Sequence, residues 1–344
     1  MSSTVRIGTC SFADQALVRD WYPHGLAPKD RLRFYSEHFD TVEIDSTFYR
    51  LPRASMSAGW AERTPERFTF HLKAFAMMTR HPVRIEQLPG DLRESLETDE
   101  RGIGRHVHLD LRAEIFRRFL EGARPLRDKG KLGGILLQFP PYFVFEDKNL
   151  DYIAWAVSRL EGLTPLIEFR HRSWLDPANR PAALDLLRQT GSALVIVDAP
   201  RLEAASVIPT VVELTSDTSY IRFHGRNAST WHHRGGSAAD RFDYLYGRDE
   251  LAEWVEPLRE LSAEAAQLFA VFNNNNSSPP AVMPGRPVAQ APANALMLRQ
   301  LLLESGVPAS EGLAQAALDE PEQYRIDGAG VGEADEVAGA GDDD

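Results

Sequence analysis

Six apolar runs in this chain end in charged or amide side chains: Val42-Glu43-Ile44-Asp45, Phe70-His71-Leu72-Lys73, Ile135-Leu136-Leu137-Gln138, Ile167-Glu168-Phe169-Arg170-His171, Ile221-Arg222-Phe223-His224 and Phe272-Asn273-Asn274. Strand alternation puts Glu43 with Asp45, His71 with Lys73, Glu168 with Arg170, and Arg222 with His224 on common faces. Carboxylates held beside cations can be tuned to opposite protonation preferences, which is what general acid/base chemistry needs. Glu168 is the leading acid/base candidate, with Glu43 or Asp45 second. His224 is a proton carrier near neutrality. Lys73 is a candidate Schiff-base nucleophile, with an ion pair to Glu43 or Asp45 as its plain structural alternative.

The same groups suit binding. Lys73, Arg170, Arg222, His224 and Arg226 are donors that match phosphate or carboxylate, and each charge-assisted hydrogen bond is worth roughly 1.5–3 kcal/mol. Gln138, Asn273 and Asn274 donate and accept at once, which suits sugar hydroxyls or base edges, although capping of the strand exit explains them equally well. Trp174, Trp231, Tyr49 and Tyr142 are expected in loops near these ends, where they would stack on a ring or simply pack. Glu43, Asp45, Glu168, Asp198, His171 and His224 resemble donor sets for divalent ions, yet no His-x-x-x-His spacing occurs. No residue is therefore assigned as a metal ligand, the cofactor is left unknown, and His171 is grouped with the substrate-binding residues. The single cysteine, Cys10, excludes an internal disulfide and a cysteine-based zinc site.

Positioning these groups requires many short strands with a common direction. Strands are predicted at 5–8, 41–45, 68–73, 134–138, 165–169, 193–197, 220–224 and 268–272, with helices at 29–38, 56–63, 111–127, 150–160, 181–189, 249–261 and 293–303. Between 198 and 219 the helical signal is weak, and Pro200 and Pro209 interrupt it. Eight strands alternating with helices predict an α/β fold, a closed (β/α)8 TIM barrel in one domain over 4–305, whose strands converge with their carboxyl ends at one mouth. Two connections are long, 79–107 and 225–247, the first expected as a lid or mobile insertion. A C-terminal extension at 306–327 and a disordered acidic tail at 328–344 complete the expected organisation.

Net charge is −12, but 328–344 contributes six acidic and no basic residues, leaving −6 for the 327 residues before it. That balance argues against a long electrostatic footprint on nucleic acid. Arg80, Arg84, Arg93, Arg101 and Arg105 in the first long connection keep a short nucleic-acid segment open beside a small anionic ligand. No apolar stretch approaches the roughly 18 residues that cross a bilayer, and the first residues lack a leader pattern, so no membrane partner and a cytoplasmic location are expected. Neither a nucleotide-binding glycine fingerprint nor a Gly-x-Ser-x-Gly elbow is present.

The ordered series 41–49, Trp60 with Thr64 and Pro65, 68–73 followed by Thr79 and His81, 137–141, 168–174, 222–226, 244–251 and Asn294 with Ala295 resembles the YecE-like domain-of-unknown-function family, DUF72. The resemblance spans about 5–303 and implies a TIM barrel without a transferable activity. One departure stands out: many members carry Phe-Asn-Asn-His after the eighth strand, where this chain has Phe272, Asn273, Asn274 and Asn275. Two functions follow as expectations. One is an enzyme of hydrolase or isomerase type acting on a phosphorylated sugar, nucleotide or nucleic-acid end. The other is a protein that holds an anionic ligand in the same pocket without turning it over.

Overall fold

The computed structural model describes residues 2–105, 107–200, 202, 204, 207–229, 242–278 and 287–312. Eight parallel strands close a barrel: β1 Val5–Cys10, β2 Thr41–Ile44, β3 Thr69–Lys73, β4 Leu132–Gln138, β5 Pro165–Glu168, β6 Ala193–Asp198, β7 Thr218–Phe223 and β8 Gln267–Phe272. Each pairs with its neighbours in sequence, and β8 returns to β1, so no edge is left exposed. Register sets the layers of the interior. Cys10 lies opposite Glu43, Glu43 opposite His71, and Gln138 opposite Glu168.

Around the barrel lie α1 Gln15–Asp20, α2 Arg31–His38, α3 Ala54–Glu62, α4 Leu109–Asp128, α5 Asp147–Ser158, α6 Arg180–Gln189, α7 Arg248–Ala252, α8 Val255–Glu264 and α9 Gln290–Glu304. The six-residue α1 escaped the periodicity because it has barely two turns, held by the Asp14 carboxylate accepting from the Ala16 amide at 2.8 Å. In α4 the buried Leu111, Ile115, Phe119, Ala123 and Leu126 recur at three- and four-residue spacing, a stripe that packs inward. Gly122 lets α4 approach the chain before α3, because a Cβ there would sit 2.0 Å from the Pro52 carbonyl oxygen. Among the described residues the connection from β6 to β7 carries no helix.

Outward faces of the strands supply the apolar packing. Val5 and Ile7 are buried beneath the helices, and Thr9 bonds the Tyr35 hydroxyl of α2 through its amide at 2.8 Å. The connection 79–107 is better built than a bare loop. Short 3₁₀ turns at Ile85–Gln87 and Gly90–Ser95 and an antiparallel pair, Glu97–Thr98 with Gly104–Arg105, bury Val83, Leu88, Leu92 and Leu96 beneath it. Past α9 the chain still contributes to the barrel: the Val5 amide donates to the Pro308 carbonyl and the Ser310 amide to Val5, both at 2.8 Å. The tail 328–344, most of 306–327 and the stretch 230–241 with Trp231 fall outside the described residues. No helix among the described residues is long and apolar enough to cross a membrane.

Candidate functional site

Arg222 of β7 organises the upper barrel. Its Nη2 lies 2.6 Å from Glu43 Oε1 and its Nη1 2.5 Å from Glu168 Oε2, with all three side chains fully buried. Nη1 also donates to Gln138 Oε1 at 3.2 Å, and Nη2 lies 3.6 Å from Cys10 Sγ and 3.9 Å from Asp45 Oδ1. One guanidinium cannot balance three carboxylates, and a charge left unpaired here would be costly. Arg170 supplies the second cation by pairing with Glu168, and Lys73 the third, 3.6 Å from Asp45 Oδ1.

The carboxyls are pushed apart in acidity. Burial drives Glu43 up to about 7 against the pull of Arg222, and the neighbouring Asp45 charge adds to the rise. Burial also works to raise Glu168, but Arg170, Arg222 and His224 together hold it well below the usual carboxylate range. Asp45 is likewise kept low because Lys73 and Arg222 outweigh its burial. Its Oδ1 is buried and receives no hydrogen bond, and an oxygen of the Glu43 carboxyl lies within 4.8 Å of an Asp45 oxygen, so a protonated Glu43 would be a donor within the same cluster. Glu43 Oε2 accepts from the Tyr220 hydroxyl at 2.9 Å. His224 is pushed down to about 3 by burial and by Arg170, which makes it neutral near pH 7. Its Nδ1 lies 2.9 Å from Asn273 Nδ2, and its Nε2 lies 3.0 Å from Arg170 Nη2 and 3.3 Å from Glu168 Oε1.

Above this buried layer is a rim that solvent reaches. The side chains of Arg170, Lys73 and Asp45 are 13%, 15% and 25% exposed. Lys73 Nζ sits 4.8 Å above the Phe48 ring, and Arg170 Nη2 donates to Gln138 at 3.1 Å. His81 joins them, with its ring edge-on to Phe48 and its Nδ1 2.8 Å from Thr79 Oγ1. Burial, then the charges of Lys73 and Arg170, lower His81 to about 4. It was not among the expected site residues, though Thr79 and His81 stood out as a pair just after β3.

Cys10, Glu43 and Asp45 bring ligating atoms within 4.8 Å of one another, a grouping that would suit a metal. The Arg222 guanidinium already lies among these three, so a divalent ion there would meet a fixed positive charge. The wider donor set is not gathered either, because Asp198 is engaged elsewhere.

Several expected binding residues have other roles. Arg226 holds Asp198 through Nε at 3.0 Å and Nη2 at 2.7 Å, and it also pairs with Glu250 and Glu253. Asp198 accepts further from the Tyr246 hydroxyl and the Trp254 indole, so this pair braces β6 against α7 and α8. Trp174 is a correction of another kind. It is fully buried, stacked on Phe169 and Phe143 at 4.3 and 5.5 Å, with its indole N–H donating to the Phe143 carbonyl. No face is left for a ligand. Asn274 is buried and ties Tyr244 to Asn294, the capping role, and His171 Nδ1 accepts from the Ser173 amide in a local turn. His71 lies deeper, packed between Tyr220 and Phe269. Tyr49 and Tyr142 are each 61% exposed. In the first long connection, Arg80 rests on the Tyr152 ring and donates to Asn149, while Arg93 donates to the Leu88 and Glu86 carbonyls.

Comparison with known proteins finds relatives of this chain. A family model described as a protein of unknown function, DUF72, matches residues 6–316. The UPF0759 protein YunF of Bacillus subtilis strain 168 is 31% identical over 276 residues, covering 79% of this chain and 89% of its own. A DUF72 family protein from Enterococcus faecalis V583 superposes with a TM-score of 0.69 at 25% identity, over 87% of this chain and 96% of that one. Another from Thermotoga maritima MSB8 gives 0.67 at 27% identity, over 87% and 99%.

Proposed function

The chain belongs to the DUF72 family, and from that premise we propose that its barrel mouth holds a small anionic, phosphate-bearing ligand. The carrying observation is that Lys73 and Arg170 each reach solvent with donors to offer and both lie within electrostatic reach of His81, whereas Arg222 is covered and paired on both terminal nitrogens. Among the described residues Arg170 Nη1 has no hydrogen-bond partner. A phosphate ester of a sugar or nucleotide fits these donors, and so does the terminal phosphate of a short nucleic-acid segment.

Acid/base chemistry, of the hydrolase or isomerase kind, falls to Asp45 with Glu43 behind it. Asp45 reaches the rim, and the neighbouring Glu43 carboxyl holds a proton near neutrality. Glu168 serves a positioning role, ionised and covered, setting Arg170 and Arg222. Binding without turnover is the second reading, favoured by the complete burial of both Glu43 and Glu168. Asp45→Asn distinguishes the two when affinity and turnover of phosphate esters are measured side by side. Turnover lost with affinity kept supports the enzyme, and tight binding with no turnover even in the unaltered protein supports the binder. Absence of binding by any phosphate ester refutes both.

A further inference from the structure

An acceptor at the mouth narrows what the anion must carry besides its charge. Asn275 follows β8 and donates through Nδ2 to the carbonyl of Cys10, the last residue of β1. A backbone carbonyl only accepts, so this bond fixes which way round the amide sits. Its Oδ1 is then turned away, buried and without a donor. Asn275 follows β8 and Asp45 follows β2, the two strands that pair with β1, so the two residues flank the end of β1 from either side. The strand ends thus hold two acceptors, Asp45 at the rim beside the cation Lys73 and Asn275 Oδ1 covered.

Bare phosphate near neutral pH brings mainly acceptors, and beside Asn275 Oδ1 and Asp45 those repel. A hydroxyl brings the missing donor. Resting on the anion reading above, we infer that the ligand is a polyhydroxylated anion of the sugar-phosphate class. Its anionic group lies on Lys73 and Arg170, and its hydroxyls donate to Asn275 Oδ1 and to the exposed side of Asp45. Asn275 is the residue that imposes the hydroxyl requirement. A buried acceptor left unmet disfavours whatever fails to satisfy it, which makes this contact discriminating rather than merely attractive.

The test is calorimetric titration of the full chain with four probes: inorganic phosphate, glucose, glucose 6-phosphate and ribose 5-phosphate. At least one sugar phosphate is expected to bind about tenfold or more tightly than inorganic phosphate, and Asn275→Ala to remove most of that gap while inorganic phosphate binds no more weakly than before. The ranking in the unaltered protein does not depend on how the variant folds. Inorganic phosphate binding as tightly as both esters, or Asn275→Ala weakening all phosphates alike, overturns the hydroxyl requirement and leaves the anion reading standing. Glucose binding as tightly as its phosphate overturns the anionic part. Absence of binding by all four overturns both.

Discussion

Arg222 Nη2 lies 2.6 Å from Glu43 Oε1 with neither side chain open to solvent, and this contact ties β7 to β2 across the barrel. The same guanidinium holds Glu168 of β5, so three strands meet on one side chain. Replacing it removes the counter-charge without removing the charges. Arg222→Met is expected to lower the unfolding free energy by about 3–5 kcal/mol, the range for breaking a buried pair by deleting one partner. Urea unfolding followed by circular dichroism measures it, and a loss under about 1 kcal/mol would mean that Glu43 and Glu168 are hydrated.

Stability should fall as solutions are acidified from neutrality. His71 and His224 are lowered from 6.5 to about 3, and His81 to about 4, chiefly by burial. The unfolded chain therefore binds their protons first, and the stability they confer is complete above 6.5 and lost as pH falls toward the folded values. Glu43 runs the other way: raised from 4.5 to about 7, its contribution is complete below 4.5 and lost as pH rises to about 7. Glu168 and Asp45, held low, lose stability on acidification as the histidines do, and together these groups outweigh Glu43. His71→Phe, which replaces a ring already packed on Tyr220 and Phe269, should flatten the acid limb of the melting temperature against pH. An unchanged limb would show that His71 does not titrate on unfolding.

Binding of an anion should take up a proton near neutrality. Below about 7 Glu43 is protonated and the mouth carries one more net positive charge, so affinity should fall as pH rises through that value. Calorimetry of a phosphate ester in two buffers of different ionisation enthalpy reads the proton directly. Glu43→Gln keeps the neutral form at every pH, and its affinity should be flat between about pH 6 and 8. A variant that retains the slope would place the titrating group elsewhere.

Trp174 separates core from site. Its indole fills a stack with Phe169 and Phe143, so Trp174→Ala should cost about 3–5 kcal/mol in unfolding free energy. Ligand affinity, measured well below the melting temperature, should stay within about twofold of the unaltered protein. A larger loss of affinity with little loss of stability would return Trp174 to the mouth.

Which of these features could be read from sequence depends on how far apart the partners lie. Glu43, Glu168 and Arg222 were legible because each ends an apolar run with two-residue alternation, and parallel strands bring such ends to one rim. That geometry says where a side chain starts, not how deep it finishes. Glu43 and Glu168 lie one layer below the groups that meet solvent, and only their complete burial beside the part-exposed Asp45 and Arg170 reveals it. Arg226 looked like a free donor because its acids, Asp198, Glu250 and Glu253, come from two other segments. Trp174 looked like a loop aromatic for the same reason, since Phe143 reaches it from another connection. Asn275 carries no periodic signal at all, and only its bond to the Cys10 carbonyl orients it.

The central claim is that Lys73 and Arg170 form the anion seat, and the most direct test is a crystal structure of the protein soaked with tungstate, an oxyanion visible by anomalous scattering. The account predicts a tungstate peak within hydrogen-bond reach of Lys73 Nζ and the Arg170 guanidinium, lost in Lys73→Met. A cavity of about 640 Å³ outside the barrel, lined among others by Arg50, Arg53 and Arg93, is the natural competitor. A peak there with the rim empty would contradict the account.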